Sequence, residues 1–382
     1  MSAEPHDLAR SERVSGALAS LRGLAVGDAL GSQFFVPDNH VLLRRRELPS
    51  GPWQWTDDTE MACSLFAVLS AHGHADQEAL AASFAEHHDS DRGYGPAVNR
   101  MLRRIRQEGA DWRELAASLF EGQGSWGNGA AMRVAPLGAW FADDAEHAAE
   151  QAERSARVTH THPEAVAGTR AVAAATALTA ASSVASVRNP VNSSAANSER
   201  GSDPLSGNDT RPSPAHDTGR LSGGRTGPLS AGHTGQGPRV GSGSVSGPAS
   251  GTVQAGGSSL TGSELLGRVQ ELVPRSAVRA GVRRAADMLD YADVATVAAV
   301  LGCGRRTSAH DTVPFALWAA ARHAGDFREA VWATAQAGGD IDTTCAIVGG
   351  IVAAGGPGGS APPQEWTERT EELPPWLRDS LT

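Results

Sequence analysis

This 382-residue sequence is short of cysteine, of long aliphatic runs and of clustered positive charge, and each shortage argues against a class of protein. Its three cysteines, Cys63, Cys303 and Cys345, form no CxxC pair and stand among small or apolar neighbours. That speaks against a disulfide framework or a cysteine-based metal site and fits buried thiols in a reducing compartment. The longest aliphatic run, Ala171 to Ala181, falls short of the roughly 20 residues that span a bilayer. Met1 to Arg13 is polar, carries both signs of charge and lacks the apolar stretch of a signal peptide, so the expectation is a cytoplasmic protein. The formal net charge is −10, and a run as short as Arg44 to Arg46 makes no basic stripe for nucleic-acid phosphates. No convincing segment alternates apolar and polar residues with the period of a strand.

What is present is helical patterning in two blocks. Hydrophobic residues make up 40% of the chain, enough to bury a sizeable core. Leu18, Leu21, Leu24 and Ala25 share a helical face. The spacing predicts further helices over Met61–Ser70, Gln77–His87, Val98–Glu108 and Pro163–Ala181. The second block repeats the style over Ala277–Leu289, Val294–Leu301, Val313–His323, Phe327–Gln336 and Thr344–Ala354. Between the blocks, residues 188–259 are dominated by Gly, Ser, Pro, Asn, Thr and Arg. So few large apolar residues do not offset the entropy of ordering, which predicts a disordered, dispensable insertion. The expected fold is therefore one compact all-α bundle, discontinuous over 12–187 and 260–378. Two separate domains is the weaker alternative, because each block carries half of one polar constellation.

That constellation is a pair of oxygen-rich loops. Trp55-Thr56-Asp57-Asp58-Thr59 stands just before an apolar helix, where Ser, Thr or Asp caps free backbone N–H groups. Capping explains one carboxylate well and two adjacent ones poorly, since like charges side by side repel unless a cation lies between them. Gly338-Gly339-Asp340-Ile341-Asp342-Thr343-Thr344 has the same grammar, with two carboxylates at i and i+2 opening a second apolar helix. Helix N-termini stabilise and orient carboxylates. Carboxylates with threonine hydroxyls and no nearby cysteine or histidine favour Mg²⁺, Mn²⁺ or Ca²⁺ over zinc or copper. Two readings stand: a divalent-metal site bridging the loops, or a pair of helix caps.

Two further segments carry ligand-type chemistry. Gly122-Gln123-Gly124-Ser125-Trp126-Gly127-Asn128-Gly129 places four glycines before a small-residue helix, a pattern that permits close backbone approach to a phosphate or merely makes a tight turn. It matches neither a Walker loop nor a Rossmann fingerprint. Thr159-His160-Thr161-His162-Pro163 precedes the alanine-rich helix, where His160 and His162 suit a ligand, a metal or simple backbone hydrogen bonds. Asp89 and Asp91 form an acidic turn that reads as a solvated loop.

Taken in order, these motifs resemble the ADP-ribosylglycohydrolase family. The likeness runs from Gly23-Leu24-Ala25-Val26-Gly27-Asp28-Ala29-Leu30-Gly31 through WTDDT at 55–59, GNGAAMR at 127–133 and THTHPEA at 159–165 to GGDIDTT at 338–344. It implies an all-α fold with two divalent cations, Mg²⁺ or Mn²⁺, at the bottom of a cleft. Thr56, Asp57, Asp58, Asp340, Asp342 and Thr343 would be metal ligands, while Ser125, Gly127, Asn128, Gly129 and His160 would contact substrate. Asp57, Asp58, Asp342 or Asp91 would serve the catalytic step. The implied activity is release of ADP-ribose from a modified protein or small molecule by a monomeric enzyme that works away from membranes and carries no strong nucleic-acid signature. Many members carry a glutamate a few residues after the first motif. Here Gly31-Ser32-Gln33-Phe34-Phe35-Val36-Pro37-Asp38 has no carboxylate before Asp38, which motivates the alternative of a catalytically weakened ADP-ribose-binding module.

Overall fold

Apolar spacing becomes helix in both blocks. The computed structural model describes residues 8–188 and 260–377. Among them are sixteen α-helices joined by short 3-10 turns, with no strand; isolated bridges pair Trp53 with Thr370 and Gly127 with Ser308. Both described blocks belong to one compact unit. The expected insertion lies outside the described residues except for Arg188, where the Pro163–Arg188 helix ends. No helix among the described residues is long and apolar enough to cross a membrane.

The most extensive helix pair joins opposite ends of the chain, Arg10–Ser32 against Ile341–Ala353. Gly23, Gly27 and Gly31 make this possible, lying one turn apart on a single face. A Cβ on Gly27 would run into the Cys345 carbonyl oxygen, and one on Gly31 would stand 2.7 Å from the Asp342 Cα. Backbone therefore packs on backbone. From Ala17 onward the first helix is buried on nearly every side, as expected of a helix apolar all round. Its one inner carboxylate, Asp28, is thereby carried to the N-terminus of the partner helix.

The helices expected over Val294–Leu301 and Phe327–Gln336 occur with those bounds. Others begin earlier or run longer: Met61–Ser70 is part of Asp57–His72, and Val98–Glu108 starts at Pro96, a residue preorganised for a first turn. The helix expected to begin at Val313 starts at Ala309 and carries Pro314 in its interior. Ala145–Arg157 and Gly262–Leu272 were not expected from apolar spacing, because alanine carries most of the first one's buried face; the second has a capping box from Thr261 and Glu264. Trp53, Trp318 and Trp366 are the largest fully buried side chains of the core.

Candidate metal centre

The site forms where two helix N-termini meet the middle of the first helix. Thr56 caps Asp57–His72, its hydroxyl oxygen accepting from the Asp58 N–H at 3.4 Å. The aspartates that follow are thus released from capping. Asp340 likewise precedes Ile341–Ala353 without capping it; its Oδ2 accepts from Asn128 Nδ2 at 2.7 Å. Asp342 takes a nearby backbone donor, the Thr343 N–H at 2.8 Å, and Asp57 takes its own N–H. Pure helix capping leaves Asp58 and Asp340 unexplained.

Oxygen atoms of Asp28, Asp58 and Asp342 lie within 4.8 Å of one another. The Thr56 hydroxyl stands 2.9 Å from both Asp28 Oδ1 and Asp58 Oδ2, and the Thr343 hydroxyl donates to Asp58 Oδ2 at 3.4 Å. Asp28 also accepts from the Thr59 hydroxyl at 2.6 Å and from the N–H groups of Thr56 and Thr59. Asp58 Oδ1 is buried with no hydrogen-bond partner. A buried, unpartnered carboxylate oxygen among other carboxylates and hydroxyls has the chemistry of a hard-cation ligand.

Electrostatics agree with the geometry. Burial, followed by repulsion from Asp28, pushes the Asp57 carboxyl up to about 8. Asp58 and Asp342 are held well above the usual carboxylate range, first by burial and then by neighbouring carboxylates. Asp28 rises only to about 6, because burial is opposed by the hydrogen bonds from Thr59 and Thr56. Without a cation these groups keep protons that exposed aspartates lose.

Above this floor lies a cavity of about 480 Å³, within the size range of small-molecule sites. Asp57, Asp58, Asp340, Asp342 and Thr343 line it, and so do Ser125, Gly127, Asn128, Gly129 and His160. His160 is buried against Gly127 and Gly129, and burial lowers its pKa to about 3, so the ring is neutral. Its Nδ1 stands 2.7 Å from the Thr159 hydroxyl, whose oxygen already accepts from the fully buried Arg133 at 3.0 Å. This contact holds the ring with Nε2 toward the glycine loop, 3.3 Å from a Cβ built on Gly127. Phe120 and Trp126, among the most exposed large apolar residues, add an aromatic wall with ring centroids 4.7 Å apart.

Not every expected residue arrives. Asp91 is exposed in the Ser90–Arg92 turn, bonded through its N–H to Asp89 Oδ1, and does not line the cavity. Gly93 and Gly95 of the same loop do. Thr56 supports the floor from behind and is not part of the cavity lining. Two features were not assigned to the site from sequence: Asp28, which stands in the first motif as an acid amid an unbroken small and apolar helical run, and the aromatic wall. His162 caps locally, its Nδ1 accepting from the Glu164 N–H.

Fold and site together define an all-α protein with an acidic, ligand-sized cavity built at two helix N-termini. The family model described as ADP-ribosylglycohydrolase matches residues 8–219 and 237–382, and the chain belongs to that family. It is 33% identical to the ADP-ribosylhydrolase ARH3 of Gallus gallus over 160 residues, 37% of this chain and 43% of that protein. To the ADP-ribosyl-[dinitrogen reductase] glycohydrolase of Rhodospirillum rubrum it is 32% identical over 158 residues, 38% of this chain and 52% of the relative. The matched stretches thus span about half or less of these relatives. In fold it is similar to a solved ADP-ribosylglycohydrolase-related protein complex, with a TM-score of 0.52 and 20% identity over 97% of this chain and 95% of that one.

Proposed function

We propose that this protein is a metal-dependent hydrolase that releases ADP-ribose from a modified protein or small molecule by cleaving the glycosidic bond at the ribose anomeric carbon. The observation that carries this reading is the orphaned Asp58 Oδ1 beneath a cavity with a glycine loop and an aromatic wall. Thr56, Asp57, Asp58, Asp340, Asp342 and Thr343 would hold two divalent cations, Mg²⁺ or Mn²⁺, with Asp28 positioning Thr56 and Thr59 from behind. Bound there, the cations would supply positive charge to orient the ribose hydroxyls and activate water.

The protein's own groups divide the remaining work. Ser125, Gly127, Asn128 and Gly129 let a phosphate approach closely, and His160 presents its Nε2 beside them. The exposed faces of Phe120 and Trp126 suit a flat base. Among Asp57, Asp58 and Asp342, one carboxylate orients the attacking water on the open side of an oxocarbenium-like ribose. A panel of defined ADP-ribosyl substrates with Mg²⁺ or Mn²⁺, with and without chelator, tests the reading. Full turnover in excess chelator, or in the Asp57→Ala/Asp58→Ala protein, would sink it.

One observation favours a second reading, a binding module with weakened turnover. No carboxylate from the turn after the first helix lines the cavity, and the Gln33 amide is occupied by the Ala29 carbonyl and the Ser32 hydroxyl. Calorimetry with ADP-ribose beside a hydrolysis assay separates the two: binding with no turnover on any linkage favours the module.

A further inference from the structure

We infer that Arg306 recognises the anionic part of the ligand at the cavity wall, the diphosphate if the reading above is right. Of the residues lining the cavity it is the only one that carries a permanent positive charge, facing a set that includes Asp57, Asp58, Asp340 and Asp342. Its side chain is exposed, and no hydrogen bond or ion pair ties its guanidinium to any described residue. Arg46, Arg92 and Arg113, in contrast, each hold a glutamate. An arginine fork left free beside a ligand-sized cavity matches the bidentate geometry of a phosphate group.

Its placement is fixed by backbone. The Gly302–Ser308 loop is stitched to the glycine loop by Asn128 N–H to the Thr307 carbonyl at 3.0 Å and by Ala309 N–H to the Trp126 carbonyl at 3.0 Å. On its other side, the Asp340 N–H donates to the Cys303 carbonyl at 3.0 Å. Arg306 itself is anchored through its N–H to Asp311 Oδ2 at 2.9 Å. Thr307 holds a φ of 50°, a left-handed conformation that a threonine adopts only when its surroundings enforce it. The loop therefore delivers Arg306 between the phosphate-type glycines and the acidic floor. A diphosphate entering a cavity with so many carboxylates needs a compensating cation apart from any metal, and this is the side chain placed to provide it.

The test compares wild type, Arg306→Gln and Arg306→Lys by calorimetry in Mg²⁺, using ADP-ribose, ADP and adenosine across a salt series. Arg306→Gln should bind ADP-ribose and ADP about tenfold more weakly with a shallower salt dependence, Arg306→Lys should fall between, and adenosine should not discriminate. Where turnover is seen, KM should rise while kcat holds. Equal affinity and equal salt dependence for ADP in Arg306→Gln and wild type would overturn the assignment, as would a wild type that binds no ADP. A wild type that binds ADP but not ADP-ribose would instead count against the proposed function, and loss of ADP binding in Arg306→Gln would still support the role of Arg306.

Discussion

Asp28 and Asp58 share one hydroxyl. Thr56 Oγ1 stands 2.9 Å from an oxygen of each, yet carries a single hydrogen. Two ionised carboxylates cannot both receive it, so the pair requires either a proton on one of them or a cation between them. This contact ties a residue of the first helix to the acidic floor, where Asp28 stands behind the carboxylates that line the cavity.

Replacing Asp28 with asparagine should keep the volume while removing the charge that holds Thr56 and Thr59. Support of this kind behind metal ligands is typically worth about 10–100-fold in metal affinity. Titration with Mn²⁺ should reveal a loss of that order, with helical content by circular dichroism retained. Unchanged affinity would assign Asp28 to folding alone.

The packing of the two central helices predicts a contrast between glycines. Gly27→Ala drives a methyl group into the Cys345 backbone and should cost about 1–3 kcal/mol or more. Gly267, within the Gly262–Leu272 helix, has nothing within 4 Å of an added Cβ, and Gly267→Ala should stabilise by about 0.5–1 kcal/mol. Urea denaturation of both variants measures the pair; a benign Gly27→Ala would contradict the backbone contact.

The carboxyl groups set a pH dependence. Asp57 near 8 and Asp28 near 6 keep protons in the folded, metal-free protein that the unfolded chain loses near the ordinary aspartate value of 3.8. Between about pH 4 and 8 the folded state binds more protons, so stability falls as pH rises through that window. A divalent cation should cancel the penalty, and the rise in melting temperature on adding Mg²⁺ should be larger at pH 8 than at pH 5. Melting curves in Mg²⁺ and in chelator at the two pH values decide it; a shift of equal size at both would remove the carboxylates as its source.

Arg92 holds Trp55, the residue before the Thr56–Asp58 turn, and ties it to Glu371. Its guanidinium lies 3.6 Å over the Trp55 ring, donates to the Trp55 carbonyl at 3.0 Å and pairs with both Glu371 oxygens at 2.7 and 2.8 Å. Arg92→Ala should lower stability by about 1–3 kcal/mol and weaken Mn²⁺ binding through displacement of the Thr56–Asp58 turn. Glu371→Ala should do less than that, and the double variant should lose less than the sum of the two. Strict additivity in a double-mutant cycle would show that the ion pair is not the coupling element.

By itself the sequence determined the helical class and both acidic loops, because apolar periodicity and helix-start chemistry are local properties. Thr56 to Asp58 and Asp340 to Thr343 were readable for that reason, and so was the glycine loop. Their convergence was not local. Only tertiary packing brought Asp28 to carboxylates from the far end of the chain, through a glycine face that lets two backbones touch. Packing also turned Asp91 to solvent, although its neighbours Gly93 and Gly95 reach the cavity. It placed Phe120, Trp126 and Arg306 around one cavity, since a side chain's direction at a loop depends on the contacts that pin the loop. Residue type and spacing state which chemistry is available; the long-range contacts decide which of those groups meet.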